Sequence, residues 1–141
     1  MKNRILNIFL RSLFFLTFLV LGLATNLSAQ KKQHADESEF TIVIEKTNDG
    51  LKLVSPSGSA WKELSFALNN YQPQAIDEWG MTQLGKVSTE RDAKLANYLF
   101  TIMKTDKGIS LKGLDGTSWT ELGFSLTGNG KQMINQDGMM Q

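Results

Sequence analysis

The chain has no cysteine, a single histidine and only two prolines in 141 residues. Without a thiol there is no disulfide, thiolate metal site, cysteine nucleophile or lipid-modified cysteine. One histidine, His34, rules out multi-histidine metal sites and leaves one candidate for any catalytic triad. It lies in the polar run Gln30–Glu39, expected to be a mobile terminus and a poor place for a base. Two prolines argue against collagen-like or proline-rich chains. The formal charge of +1 offers no electrostatic basis for binding nucleic acid. Also absent are a G-x-S-x-G elbow, a phosphate-binding P-loop, an H-E-x-x-H zinc motif and a dinucleotide glycine pattern. Asn135-Gln136-Asp137-Gly138 has the middle of a calcium loop, but the required downstream Glu does not follow. No cofactor and no metal is expected.

What is present begins with an address. Lys2, Arg4 and Arg11 form a basic start, and no acid appears before Asp36. Leu13–Ala24 is an apolar run of twelve, followed by the polar, small-residue stretch Thr25-Asn26-Leu27-Ser28-Ala29. This is the layout of a secretory signal peptide, 1–29, with cleavage after Ala29 and an alternative after Ala24. A membrane span needs about 20 apolar residues, so the uncleaved-anchor reading is the weaker one. Cleavage leaves 112 residues with 12 basic and 14 acidic side chains, net −2. The expected product is exported, periplasmic or extracellular, and keeps no stable membrane anchor.

The rest is a duplication. Residues 40–81 align without gaps on residues 98–139 at an offset of 58, and 15 of the 42 positions are identical. The shared residues include Ile44/Ile102, Lys46/Lys104, Gly50/Gly108, Gly58/Gly116, Trp61/Trp119, Glu63/Glu121, Phe66/Phe124, Gln74/Gln132 and Gly80/Gly138. This gives a polar segment 30–39, repeat 1 at 40–81, a linker 82–97 and repeat 2 at 98–141.

Each repeat reads as four short strands. Phe40, Ile42 and Ile44 alternate, as do Tyr98, Phe100 and Ile102, the period of a half-buried strand. Asn48-Asp49-Gly50 and Asp106-Lys107-Gly108 suit three-residue turns closed by a left-handed glycine. A returning strand follows, then Trp-x-Glu-Leu-x-Phe-x-Leu, predicting a third strand from Leu64 or Leu122. Ser118 and Glu121 resemble a capping box, which suggests one helical turn before that strand. A fourth strand surrounds Ile76 or Ile134, and Thr89-x-x-Asp92 is a possible start for a linker helix. A unit of 42 residues is near the lower limit of independent stability. The expected fold is therefore all-β, with two tandem four-stranded antiparallel repeats forming one pseudo-two-fold sandwich or barrel. Two separate lobes are the alternative.

Eight side chains stand out as candidate binding residues. Trp61 and Trp119 either plug the core or form platforms for sugars and peptides; occurring in both copies favours the core. Lys46, Lys104, Glu63 and Glu121 are the only charges common to both repeats, read as Lys–Glu pairs closing each unit and, less simply, as a catalytic pair. Gln74/Gln132 is expected to satisfy the preceding turn, or to read a ligand on the two-fold axis. Tyr71 and Trp79 occur in the first copy alone, where the second has Asn129 and Asp137, and outward-facing aromatics can stack on sugars. No residue is assigned a catalytic role.

The expectation is an exported, non-enzymatic binding or interaction module whose partner is a protein, an envelope component or a glycan. A structural or assembly protein of the envelope is the alternative. A small hydrolase using scattered carboxylates such as Asp77 or Asp115 comes last.

Overall fold

The computed structural model describes residues 39–141. The expected signal peptide, His34 and all but the last residue of the polar segment lie outside the described residues.

The described chain is all-β. Ten strands follow one another: β1 (Thr41–Lys46), β2 (Leu51–Ser57), β3 (Glu63–Phe66), β4 (Gln74–Asp77), β5 (Gly80–Thr82), β6 (Leu99–Thr105), β7 (Gly108–Asp115), β8 (Glu121–Phe124), β9 (Lys131–Asn135) and β10 (Gly138–Met140). They form two five-stranded antiparallel sheets, ordered β10-β9-β1-β2-β3 and β5-β4-β6-β7-β8. Each sheet is thus a three-stranded meander from one half of the chain, extended by a hairpin from the other half. The two junctions have the same register. Gln132, Met133, Ile134 and Asn135 oppose Ile44, Val43, Ile42 and Thr41, while Gln74, Ala75, Ile76 and Asp77 oppose Ile102, Thr101, Phe100 and Leu99.

Alternation along the strands builds the core. Ile42 and Ile44 of β1, Leu51 and Leu53 of β2, Phe100 and Ile102 of β6, and Ile109 and Leu111 of β7 are buried, together with Ile76 and Ile134 from the exchanged hairpins. Phe40, Trp61, Ala96, Tyr98 and Trp119 complete one apolar cluster. Leu64, Phe66, Leu68 and their equivalents Leu122, Phe124 and Leu126 pack against it from the periphery.

Several expectations need correction. The strands number ten, because a hairpin replaces each single fourth strand. Asp77 Oδ1 accepts from the N–H groups of Trp79 (2.9 Å) and Gly80 (3.0 Å), and Asn135 Oδ1 accepts from those of Asp137 and Gly138 at the same distances. A short side chain holding a two-residue turn in this way lets the strand double back. The sheets do not close into a barrel, since β10, β3, β5 and β8 each pair on one side only. No helical turn precedes β3 or β8. The backbone there is committed elsewhere: Ser55 N–H donates to Lys62 O, Ala60 N–H to Glu78 O, Gly113 N–H to Thr120 O and Ser118 N–H to Gln136 O. The Ser118 hydroxyl reaches Asp137 rather than closing a capping box with Glu121.

In the linker the one helical element is a 3₁₀ turn over Leu84–Lys86. Thr89–Asp92 starts no helix, because Asp92 accepts from Lys94 and Leu95 and closes a turn. Gly108 has the expected positive φ (129°), but Gly50 does not. Gly50 is required for closeness instead, since a Cβ there would lie 2.2 Å from the Phe66 carbonyl oxygen.

Candidate functional site

The turns β1–β2 and β6–β7 lie at the same end of the described body, and a cavity of about 250 Å³ opens between them. Five equivalent pairs line it: Lys46/Lys104, Thr47/Thr105, Gly50/Gly108, Leu51/Ile109 and Leu68/Leu126, with Asn48 and Asp49 beside them. Local hydrogen bonds fix the walls. Thr47 N–H donates to Gly50 O (3.0 Å) and Thr105 Oγ1 to Gly108 O (3.2 Å). The floor is apolar and the rim polar, as in ligand sites generally.

Charge at the rim is uneven. Among the described residues neither Lys46 nor Lys104 makes an ion pair. The expected Lys–Glu closure is therefore not formed. Glu63 instead lies 3.6 Å from Lys52, which also reaches Glu45, and Glu45 takes Lys131 at 2.6 Å. The hydrogen bond from Lys131 holds the Glu45 carboxyl below its usual range, with Lys52 adding to the effect. The cavity contains one carboxylate, Asp49.

This Lys131–Glu45–Lys52–Glu63 ladder crosses the outer face of the first sheet. At the equivalent positions the second sheet carries Pro73, Met103, Ser110 and Glu121, and Gly123 replaces Ser65. Two adjoining hollows of about 590 and 380 Å³ lie on that face, sharing Met103, Ser110 and Glu121. Tyr71 lines the larger one, 55% exposed and with a left-handed backbone (φ 58°), its N–H donating to Lys104 O at 2.8 Å. Tyr71 and Trp79 are not brought together. Trp79, 38% exposed, sits in the β4–β5 turn, at the other end of β4.

Trp61 and Trp119 belong to the core. Each is 8% exposed and donates its indole N–H to a carbonyl sixteen residues on, Asp77 O at 3.0 Å and Asn135 O at 2.9 Å. The indoles thereby tie each Trp segment to the hairpin that follows, and they offer no open platform. Gln74 and Gln132 also serve these hairpins. Gln74 Nε2 donates to Ala75 O and Thr82 O, and Gln132 Nε2 to Met133 O and Met140 O. They satisfy the strand that follows rather than the preceding turn, and neither lines the cavity.

Four side chains to which the sequence reading gave no polar role, Tyr98, Ser59, Ser55 and Glu78, are buried. The Tyr98 hydroxyl is 2.7 Å from Ser59 Oγ, which is 2.8 Å from Ser55 Oγ, and burial pushes the phenol well above its ordinary range. Glu78 is buried with Arg91 Nη1 at 3.8 Å, and desolvation raises its carboxyl above the ordinary value. All are unlike at the equivalent positions, Phe40 for Tyr98 and Gln136 for Glu78, so a search for shared residues could not find them. The signal was in the differences.

No family model, curated protein or solved structure matches the chain. The class is set by the fold alone: an all-β protein of two five-stranded antiparallel sheets.

Proposed function

We propose that the chain is an exported, non-enzymatic binding module, two β-repeats fused into a pseudo-two-fold sandwich, with the ligand held in the cavity between the β1–β2 and β6–β7 turns. The observation that carries this reading is the composition of that cavity, five equivalent residue pairs around one apolar floor. Residues of both halves line the site, so it exists only when both halves are folded together, which suits a binding role. Among the described residues the two lysines at its rim have no ion-pair partner, so they give an incoming ligand charges to meet.

Thermal unfolding in the presence of oligosaccharides, peptidoglycan fragments, lipids, small organic acids and divalent metals tests the proposal. A ligand at a hundredfold over its Kd stabilises the folded state by about 2.7 kcal/mol, which moves the midpoint by several degrees for a body of about 100 residues. A shift that Leu68→Trp abolishes supports the cavity; shifts insensitive to that substitution place binding elsewhere and overturn it. Export is tested by following the chain into the periplasm and medium, and retention in the cytoplasm refutes it.

An assembly role is the second reading. It is favoured by the one-sided pairing of β10, β3, β5 and β8 and by exposed Met133, Met139 and Met140 on the β9–β10 hairpin. Open edges and apolar side chains invite strand addition from another chain. Concentration-dependent oligomers in sedimentation would support that role, and a monomer at all concentrations counts against it.

A further inference from the structure

We infer that the ligand of the end cavity is a small monoanion with a short apolar tail, of the class of a medium-chain carboxylate. The inference rests on the proposed binding role and adds the chemistry of what is bound.

Three observations fix the class. The floor is built from Leu51, Leu68, Ile109 and Leu126, so the buried part of the ligand is apolar. The rim carries Lys46, Lys104 and Asp49, net +1, which one single negative charge neutralises. A dianion or a cation leaves a charge uncompensated. The volume of about 250 Å³ lies between the roughly 150 Å³ that accepts benzene and the roughly 300 Å³ at which drug-sized sites begin. A long acyl chain or a glycan is too large for it.

The arrangement also separates the two tasks. Glu45, the residue before Lys46, is held by Lys131 and Lys52 on the outer face and does not compete for the rim lysines. In the second half Met103 takes the place of Glu45, so Lys104 has no acidic neighbour in its strand. Both ammonium groups are exposed, which sets the expected charge discrimination at the modest level of surface ion pairs.

The test is a titration of the purified protein with octanoate, octanol and octylammonium, read from backbone amide shifts in two-dimensional NMR. Octanoate should shift Gly50, Leu68, Gly108 and Leu126, with a Kd on the order of a millimolar for a ligand of this size. Octanol should bind about tenfold more weakly and octylammonium more weakly still. Across butyrate, hexanoate, octanoate and longer acids, affinity should rise about fourfold per methylene until the floor is covered and then level off. The double variant Lys46→Gln/Lys104→Gln, at exposed positions, should lose about tenfold for octanoate and nothing for octanol. Equal binding of octanol and octanoate, or indifference to the double variant, overturns the anion while leaving the cavity as a binding site. No shift at these four amides with any of the three compounds overturns both.

Discussion

Removing the Tyr98 hydroxyl and removing its partner should have unequal costs, and the inequality can be worked out from the buried chain of hydroxyls. Tyr98 is 1% exposed, Ser59 7% and Ser55 2%, so none of the three reaches water. Tyr98→Phe deletes one bond of 2.7 Å, but Ser59 keeps Ser55 at 2.8 Å. No polar atom is orphaned, and the loss is one neutral hydrogen bond, about 1 kcal/mol. Ser59→Ala leaves the Tyr98 phenol buried without that partner and adds a desolvation penalty of about 1–3 kcal/mol. Ser55 still has Ser57 O at 3.1 Å, so it adds little. The double variant removes both ends of the bond and should fall near Tyr98→Phe, more stable than Ser59→Ala alone. Urea unfolding of the four proteins as a double-mutant cycle gives the coupling directly. In heat the single Ser59→Ala change should lower the midpoint by about 10 °C, and adding Tyr98→Phe should restore about half of it. A double variant less stable than Ser59→Ala would show that ring packing around Tyr98, and not the hydroxyl, dominates.

Three further outcomes follow from the same kind of reasoning. Glu78 is buried and its carboxyl is raised, so the folded state prefers it protonated. Its cost is absent below the unfolded value of about 4.5, grows as pH rises through the raised folded value and stays constant above it. Glu78→Gln, the residue found at the equivalent position 136, should raise the midpoint at pH 7 and leave it unchanged at pH 4; equal effects at both values refute the desolvation argument. Tyr71→Asn, again the equivalent residue, relieves a left-handed backbone at an aromatic residue and should stabilise by about 0.5–1 kcal/mol in urea unfolding; a loss of stability means the Tyr71 ring packs more than its exposure suggests. Finally, fragments 39–97 and 98–141 each carry the hairpin that completes the other's sheet and lack the one that completes their own, so neither alone should melt cooperatively, while an equimolar mixture should; a fragment with its own sharp transition refutes the exchanged topology.

What could be read from the sequence was whatever depends on near neighbours. Alternation of Phe40, Ile42 and Ile44 is enough to specify a strand with one buried face, and the structure buries all three. The shared Trp61 and Trp119 were rightly weighed toward the core, because an indole needs both an apolar slot and an acceptor. Reading Lys46 and Lys104 as partners of Glu63 and Glu121 failed for a different reason. Matching charges in both repeats says that each is needed twice, not that they touch. Ion-pair partners are set by strand register, and register places Lys52 opposite Glu45, not Lys46 opposite Glu63. The β4–β5 and β9–β10 hairpins were missed because their turns are held by Asp77 and Asn135 rather than by a Gly-rich pair, which leaves a weaker mark in composition.

The exchange of hairpins is the part of the fold that a duplicated sequence hides by construction. Because Ile42, Ile44 and Ile134 are matched by Phe100, Ile102 and Ile76, the β4–β5 hairpin meets nearly the same apolar face whether it lies beside β1 or beside β6. Local chemistry cannot choose between them, so the choice falls to geometry and to the few positions where the halves differ. One such position lies where the two halves meet. Tyr98 enters β6 where Phe40 enters β1, and the hydroxyl it adds is met by Ser59 of the other half rather than by its own half's Thr117, whose Oγ1 is given to Trp119 O. The aromatic pair Phe40–Tyr98, with ring centres 4.4 Å apart, sits at the same junction. At this junction a residue that differs between the halves, Tyr98, is therefore met by a partner from the other half.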